Sequence, residues 1–450
     1  MNRMIRRYSI GALITLTLGL AQQAAASEFL VKYDGNQMPA ELAAEVNDLG
    51  GGYRALPEIG YAVVWGLTDS DAEQLMARPE VVGVTLDLDV QWLPGVEVVG
   101  AFSDTELRAT AGQGDAAFFD HYQWYLRQIE ADDAWDVTAQ GSGTLVCVLD
   151  TGVDPTHQDL VGRVDLSKSV SFVPDEPFIE DLNFHGTFVS ALIASNGIGM
   201  GSVAPQTNLC AIKVLGASGS GSFGDVISGI VHAANVDADV MNLSLGALIP
   251  RDSADVDELI DALQEAVDYA HRSGTLVVAA SGNDGVNLDE NTDLIHVPSM
   301  LRNVLSVGAT APINQQDFDT LTTYSNFGLR GVDVVAPGGD FIEGGVVEDL
   351  ILSACSSFVC GEDGVYVLAA GTSFASPLTA ATAAVAAAEA HHHGHHHGHG
   401  GHCGGHGGVS ARKLSKCVEK GADRLTHRFR DPQFGRGRIN VLGAVSECSH

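Results

Sequence analysis

Basic side chains are scarce in this chain: 24 Lys and Arg stand against 57 Asp and Glu, a formal net charge of −33 over 450 residues. No basic surface large enough to neutralise a run of phosphates can be assembled from them, which excludes nucleic acid as a partner. The acidity suits a protein kept soluble in saline water. Long apolar runs are equally missing. Beyond residue 26 nothing approaches the roughly 18 uninterrupted apolar residues of a membrane span. The chain also lacks the low hydrophobicity of a disordered polypeptide. It is 45% hydrophobic, and its 52 glycines point to a loop-rich α/β protein with room for two or three folded units.

The one concentrated apolar run lies at the start. Arg3, Arg6 and Arg7 precede an apolar stretch over residues 10–20, and Ala24, Ala25 and Ala26 form a small-residue cleavage site. Residues 1–26 therefore read as an export signal, and the mature protein as extracellular or periplasmic. Cysteine is sparse, with seven copies. Export permits disulfides, and an odd count leaves at least one thiol unpaired. Cys355 and Cys360 are close enough in sequence to close a small loop, and Cys417 and Cys448 are placed to tie the last helix to the C-terminus. Cys147 and Cys210 sit in apolar strand-like runs and read as buried free thiols.

Residues 27–93 are self-contained: strands at 29–31, 61–65 and 81–86, with helices at 39–49 and 69–78. One more strand, which the pattern does not locate, completes a small ferredoxin-like α+β unit. Residues 94–117 turn polar and irregular and read as a linker. From residue 118 to 450 unbroken apolar runs at 145–149, 209–215, 240–243, 275–280 and 304–307 alternate with helical stretches at 187–195, 223–234 and 255–272. Such runs are strands buried on both faces, and the alternation predicts an α/β domain with a parallel sheet flanked by helices. Ligands of such sheets bind beyond the carboxyl ends of the strands. The helix at 255–272 carries Asp257, Glu258, Asp261, Glu265 and Asp268, which read as a solvated face.

Four short stretches carry chemistry. Asp150 ends an apolar strand before Gly152, where it is either a partly buried carboxylate or an ordinary turn residue. His185 opens a helix, where it is a base or merely a helix-start residue. Asn283 follows a buried strand, able to donate to an oxyanion or to brace a turn. Ser373 stands between Gly371-Thr372 and an alanine-rich helical run that ends near Glu389, as a nucleophile at a helix mouth or simply a cap. Each plain reading is respectable alone. Together Asp150-Thr151-Gly152, His185-Gly186-Thr187, Ser281-Gly282-Asn283 and Gly371-Thr372-Ser373-Phe374-Ala375-Ser376-Pro377 closely resemble the four signature stretches of the subtilisin-like serine proteases, in that family's Asp, His, Ser order.

The resemblance implies a subtilisin-like α/β fold, with Ser373 as nucleophile, His185 as base, Asp150 as its orienter and Asn283 as oxyanion donor. It further implies that Gly219-Ser220-Gly221 and Ser244-Leu245-Gly246 clamp an extended polypeptide substrate, with Ser281 and Gly282 beside it. The first substrate pocket is expected from residues 279–282 and 295–299, with His296 near its base and Asp284 close by. By the same resemblance residues 27–93 are an inhibitor-like propeptide and intramolecular chaperone, 94–117 hold the maturation region, and the enzyme is a monomer. Calcium is implied as a cofactor, with Asp159 as its one recognisable ligand, although residues 196–202 offer few side-chain oxygens against the six to eight that Ca²⁺ takes.

Residues 391–408 depart from the family. They hold nine of the 17 histidines, His391, His392, His393, His395, His396, His397, His399, His402 and His406, together with Cys403 and many glycines. The segment reads as a flexible surface insertion with ligands for Zn²⁺, Ni²⁺ or Cu²⁺, or as a low-complexity expansion without function. The sequence thus predicts a secreted serine endopeptidase made as a zymogen. Its rivals are a non-catalytic binding scaffold and a metal-sequestering protein built on the histidine tract.

Overall fold

The computed structural model describes residues 27–93, 101–102, 119–251, 254–361, 365–396 and 409–449. Its centre is an eight-stranded sheet. Across it lie Gln316–Leu321, Val304–Ile313, Leu276–Ala280, Val240–Leu243, Leu145–Asp150, Asn208–Lys213 and Val170–Ser171, and Val334–Pro337 pairs beside Val304–Ile313. Every pairing is parallel except that of the edge strand Gln316–Leu321.

Parallel strands need crossovers, and the crossover helices cover both faces. That is why the strand sequences are apolar throughout. Along Leu145–Asp150 the side chains alternate: Val146 and Val148 join a core built with helices His185–Ile193 and Thr372–His396. Leu145, Cys147 and Leu149 join a second core with helices Phe223–Asn235 and Ala254–Ser273. Each fully buried Val or Leu contributes about 1.5–3 kcal/mol of transfer free energy, so the sheet is fixed from both sides. The acidic residues of Ala254–Ser273 lie on its outer side, as the sequence predicts.

Two cysteine pairs are as expected: Cys355–Cys360 and Cys417–Cys448 are disulfides. The free-thiol reading of Cys147 and Cys210 is corrected, because they are bonded to each other. The reason is register. Neighbouring parallel strands set Cys147 opposite Cys210 on the same face, with Cα atoms 4.5 Å apart.

Residues 27–86 form a four-stranded antiparallel sheet in the spatial order Gly52–Leu56, Tyr61–Leu67, Ser27–Tyr33, Val81–Leu86, with helices Ala40–Asp48 and Asp69–Met76. Gly52–Leu56 is the strand the sequence pattern did not locate. One face of this sheet carries Phe29, Val31, Ala62 and Val64 against its own helices; the other turns Leu30 and Val63 into the core of Phe223–Asn235 and Ala254–Ser273. The unit is thereby docked on the larger domain. Within the supposed linker, Ala101–Phe102 pairs with Tyr366–Ala369 rather than running irregularly; the rest of 94–117, the export-signal reading of 1–26 and the tract from 397 to 408 lie outside the described residues.

Candidate active site

All four predicted residues stand at ends of elements on the carboxyl side of the sheet. Asp150 is the last residue of its strand, His185 the first of its helix, Asn283 follows Leu276–Ala280, and Ser373 lies in the first turn of Thr372–His396. Asp150 and His185 are fully buried and Ser373 nearly so. Nδ1 of His185 lies 2.8 and 3.0 Å from the two carboxylate oxygens of Asp150. Its Nε2 is buried and has no hydrogen-bond partner among the described residues. The imidazole also packs on Phe374, the residue after Ser373, with ring centroids 5.6 Å apart.

The serine's setting follows from Pro377. A proline in the helix has no N–H for the carbonyl four residues back, which is that of Ser373. Ser244 Oγ donates to this carbonyl at 2.6 Å, and Ser373 Oγ donates to the Ser244 carbonyl at 3.0 Å. Asn242 Nδ2 donates to Ser244 Oγ while Ser376 donates to Asn242 Oδ1, which locks the pair. The amide oxygen of Asn283 accepts from Thr372 N at 3.0 Å and Thr372 Oγ1 at 2.7 Å. With the oxygen so committed, the amide nitrogen is the end that remains to donate.

Two supporting residues escaped the sequence reading. Asp181 is buried and accepts from the N–H groups of Asn183, Phe184 and Thr187 and from the hydroxyls of Thr151 and Thr187. It thereby holds Phe184 at φ 92°, a left-handed conformation unusual for such a side chain, and aims His185. Burial pushes its carboxyl above the ordinary range, against the pull of these donors. Lys213, also buried, spends its ammonium on the carbonyls of Thr151 and Glu180 and the carboxylate of Glu176. The only sequence signal is an Asp four residues before a helix-opening His, and a Lys ending an apolar strand. Glycine is required where the loops meet: a Cβ on Gly186 falls 2.0 Å from the Gly152 carbonyl oxygen.

These elements, in this order, match the Subtilase family profile over residues 141–398. The chain belongs to the subtilase family. Among its relatives are a thermophilic serine proteinase of Bacillus sp. (strain AK1), 32% identical over 87% of this chain and 83% of the relative. Thermitase of Thermoactinomyces vulgaris is 30% identical over 73% of this chain and 97% of its own. The crystal structure of an epidermin leader peptide processing serine protease from Staphylococcus aureus superposes with a TM-score of 0.73 at 22% identity, covering 94% of this chain and 98% of that one. The protein is accordingly a subtilisin-like serine protease.

The expected substrate segments of this subtilase are occupied by its own chain. Asp89–Gln91 pairs antiparallel with Ser220–Ser222. The Gly219 carbonyl accepts from the N–H groups of Trp92 and Leu93, and Gly246 N donates to the Trp92 carbonyl. Trp92 is buried, its Nε1 donating to Gly221 O and its ring edge-on to Phe223. Leu245 lines the same cleft, and Ser281 is tied to Asn326 through its carbonyl and hydroxyl. Of the expected pocket residues, Ala280, Gly282 and His296 line this cleft, with Asp284 at its side.

The metal expectations fare differently. Asp159 is buried, and its carboxylate accepts from Ser195 Oγ, the N–H groups of Ile198 and Gly199, and Tyr366 OH at 2.5 Å. Two of these four donors are N–H groups, which cannot ligate a cation, and two are hydroxyls; nothing among the described residues supports the calcium ligand role expected of Asp159. The histidine tract is not a flexible insertion from its start: the helix expected to end near Glu389 runs to His396, carried on by its buried alanine-rich body. His391 lies 3.8 Å from Asp239 through Nε2. Among the described residues no cluster of three or more His, Cys, Asp or Glu can hold a metal, and no helix is long and apolar enough to cross a membrane.

Proposed function

We propose that this subtilase is a secreted endopeptidase in which Asp150, His185 and Ser373 act as a triad, and that it is made as a zymogen silenced by residues 27–93. The observation that carries the reading is His185: one ring nitrogen is held by a buried carboxylate, and the other is buried and unpaired beside the first turn bearing Ser373. Such a nitrogen is a base waiting for a proton.

In the reaction Ser373 Oγ attacks the peptide carbonyl carbon as its proton passes to His185 Nε2, and Asp150 stabilises the imidazolium. The oxygen of the tetrahedral intermediate takes hydrogen bonds from Asn283 Nδ2 and the Ser373 N–H. Collapse breaks the C–N bond and His185 returns the proton to the leaving amine, leaving an acyl-enzyme that water hydrolyses by the same steps. No step calls on a metal. The zymogen reading is supported by the chain's own 89–93 segment lying hydrogen-bonded in the cleft. Secretion is supported by the three disulfides, which persist in oxidising compartments.

The test is casein hydrolysis by matured enzyme. Ser373→Ala is expected to lower turnover by about 10⁶, a figure that itself comes from a subtilisin. A Ser373→Ala protein as active as wild type sinks the reading.

A further inference from the structure

The cleft of about 370 Å³ lined by Trp92 is also lined by Ser373 and Asn283. Two glycine-bearing segments are among its walls. A Cβ on Gly246 falls 2.3 Å from Cε1 of His296, and a Cβ on Gly282 falls 2.5 Å from Nε2 of the same ring. The imidazole therefore touches both walls at once, in the space between them. Neither wall has room for any side chain while the ring is there.

The ring is also fixed. Its Nδ1 is 2.8 Å from Ser299 Oγ, and the residue is 2% exposed. Its strand Leu294–Val297 pairs antiparallel with Ala247–Pro250, which sets Leu248 opposite His296 and carries on directly from the Gly246 wall. Asp284, whose charge acts on this ring, is engaged by Asn326 Nδ2 at 2.8 Å. Burial pushes the imidazole down to about 4, with Asp284 opposing, so the ring is neutral across the working range of a His base. It acts as a wall, not as a charge.

We propose that His296 is a specificity-determining residue: its ring closes the floor of the slot beside Ser373 and limits the substrate residue that supplies the scissile carbonyl to short side chains. The proposal rests on the reading of Ser373 as nucleophile. A long or aromatic side chain entering from Ser373 meets the imidazole edge, and a ring held by two backbone walls and Ser299 cannot step aside. Even one methylene in excess or deficit changes discrimination in such pockets by roughly 10–200-fold.

The experiment compares kcat/KM for peptide anilides that differ only in the residue before the scissile bond, Ala, Leu or Phe, using enzyme matured from the full chain and titrated with a fluorophosphonate. Wild type is expected to favour Ala over Phe by at least about tenfold. His296→Gly is expected to raise the Phe to Ala ratio by at least about tenfold, and His296→Gln, which refills the floor, to restore the wild-type order. The ratio does not depend on how much active enzyme each preparation holds. Phe cleaved by wild type as readily as Ala, or a ratio unchanged in a His296→Gly protein that takes up the label, overturns the proposal while leaving the serine reading intact. If His296→Gly fails to fold, the wild-type order alone decides. Failure of wild type itself to take up label refutes the serine reading, and this proposal with it.

Discussion

Asn283 shows how one residue is oriented by its neighbours. Its side-chain oxygen is taken by the N–H and hydroxyl of Thr372, which leaves the amide nitrogen as the donor of the proposed reaction. Asn283→Ala is expected to lower kcat by about 10²–10³ with KM little changed, a range again drawn from a subtilisin; steady-state kinetics on a peptide anilide check it. Asp181 is wholly buried, and five donors depend on it. Asp181→Ala leaves those donors buried without an acceptor and is expected to cost about 2–4 kcal/mol of stability by urea denaturation. It is also expected to lower kcat, because Phe184 and His185 lose their anchor, and Asp181→Asn recovers part of both. The four proposed site residues were legible in the sequence because each lies within two residues of a glycine, near the end of an apolar strand or the start of a helix. Asp181 and Lys213 were not, because their partners on other loops become neighbours only through the fold.

At the scale of elements, the short strand Asp89–Gln91 has the largest consequence. Nothing in its own sequence marks it, since its partner lies more than a hundred residues away. The same blindness to long-range register hid the Cys147–Cys210 bond, which joins residues 63 apart. Apolar runs and helical periodicity, which are local, located five of the eight strands and the crossover helices, but not the short or half-exposed strands Val170–Ser171, Gln316–Leu321 and Val334–Pro337. They stopped the Ser373 helix short, since a histidine run gives no sign that a buried alanine-rich body is still propagating. Trp92 is the anchor of the cleft strand, its indole buried against Phe223. Removing a buried indole costs about 3–5 kcal/mol of packing. The uncleaved Trp92→Ala chain is therefore expected to hydrolyse a peptide anilide at least about tenfold faster than the uncleaved wild type. Equal latency contradicts the strand's role as a plug.

The molecule as a whole is two units joined across an acidic seam. Glu28, Asp87 and Asp89 of the small unit face Asp225 and Asp175 of the large one, and Arg54 pairs with Asp225 at 3.2 Å. Burial pushes Asp87 up to about 6, although it accepts from Gly224 N at the start of Phe223–Asn235. Burial likewise pushes Asp225 up to about 7, Arg54 opposing. Docked carboxyls of this kind hold protons more tightly than separated ones, so docking weakens as pH rises from about 4, the ordinary carboxylate value, through 6–7. Latency of the uncleaved chain is expected to be firmest near pH 4–5 and to loosen by pH 7–8, read from the urea concentration that releases activity; the opposite trend contradicts the assignment. All of this presupposes that Ser373 is a nucleophile. The direct measurement is a fluorophosphonate reacted with the matured enzyme and located by peptide mass spectrometry. The account predicts a single adduct on Ser373, absent from Ser373→Ala and from His185→Ala. A folded, matured wild type that takes no adduct, or takes it on another serine while Ser373→Ala still cleaves casein, contradicts it.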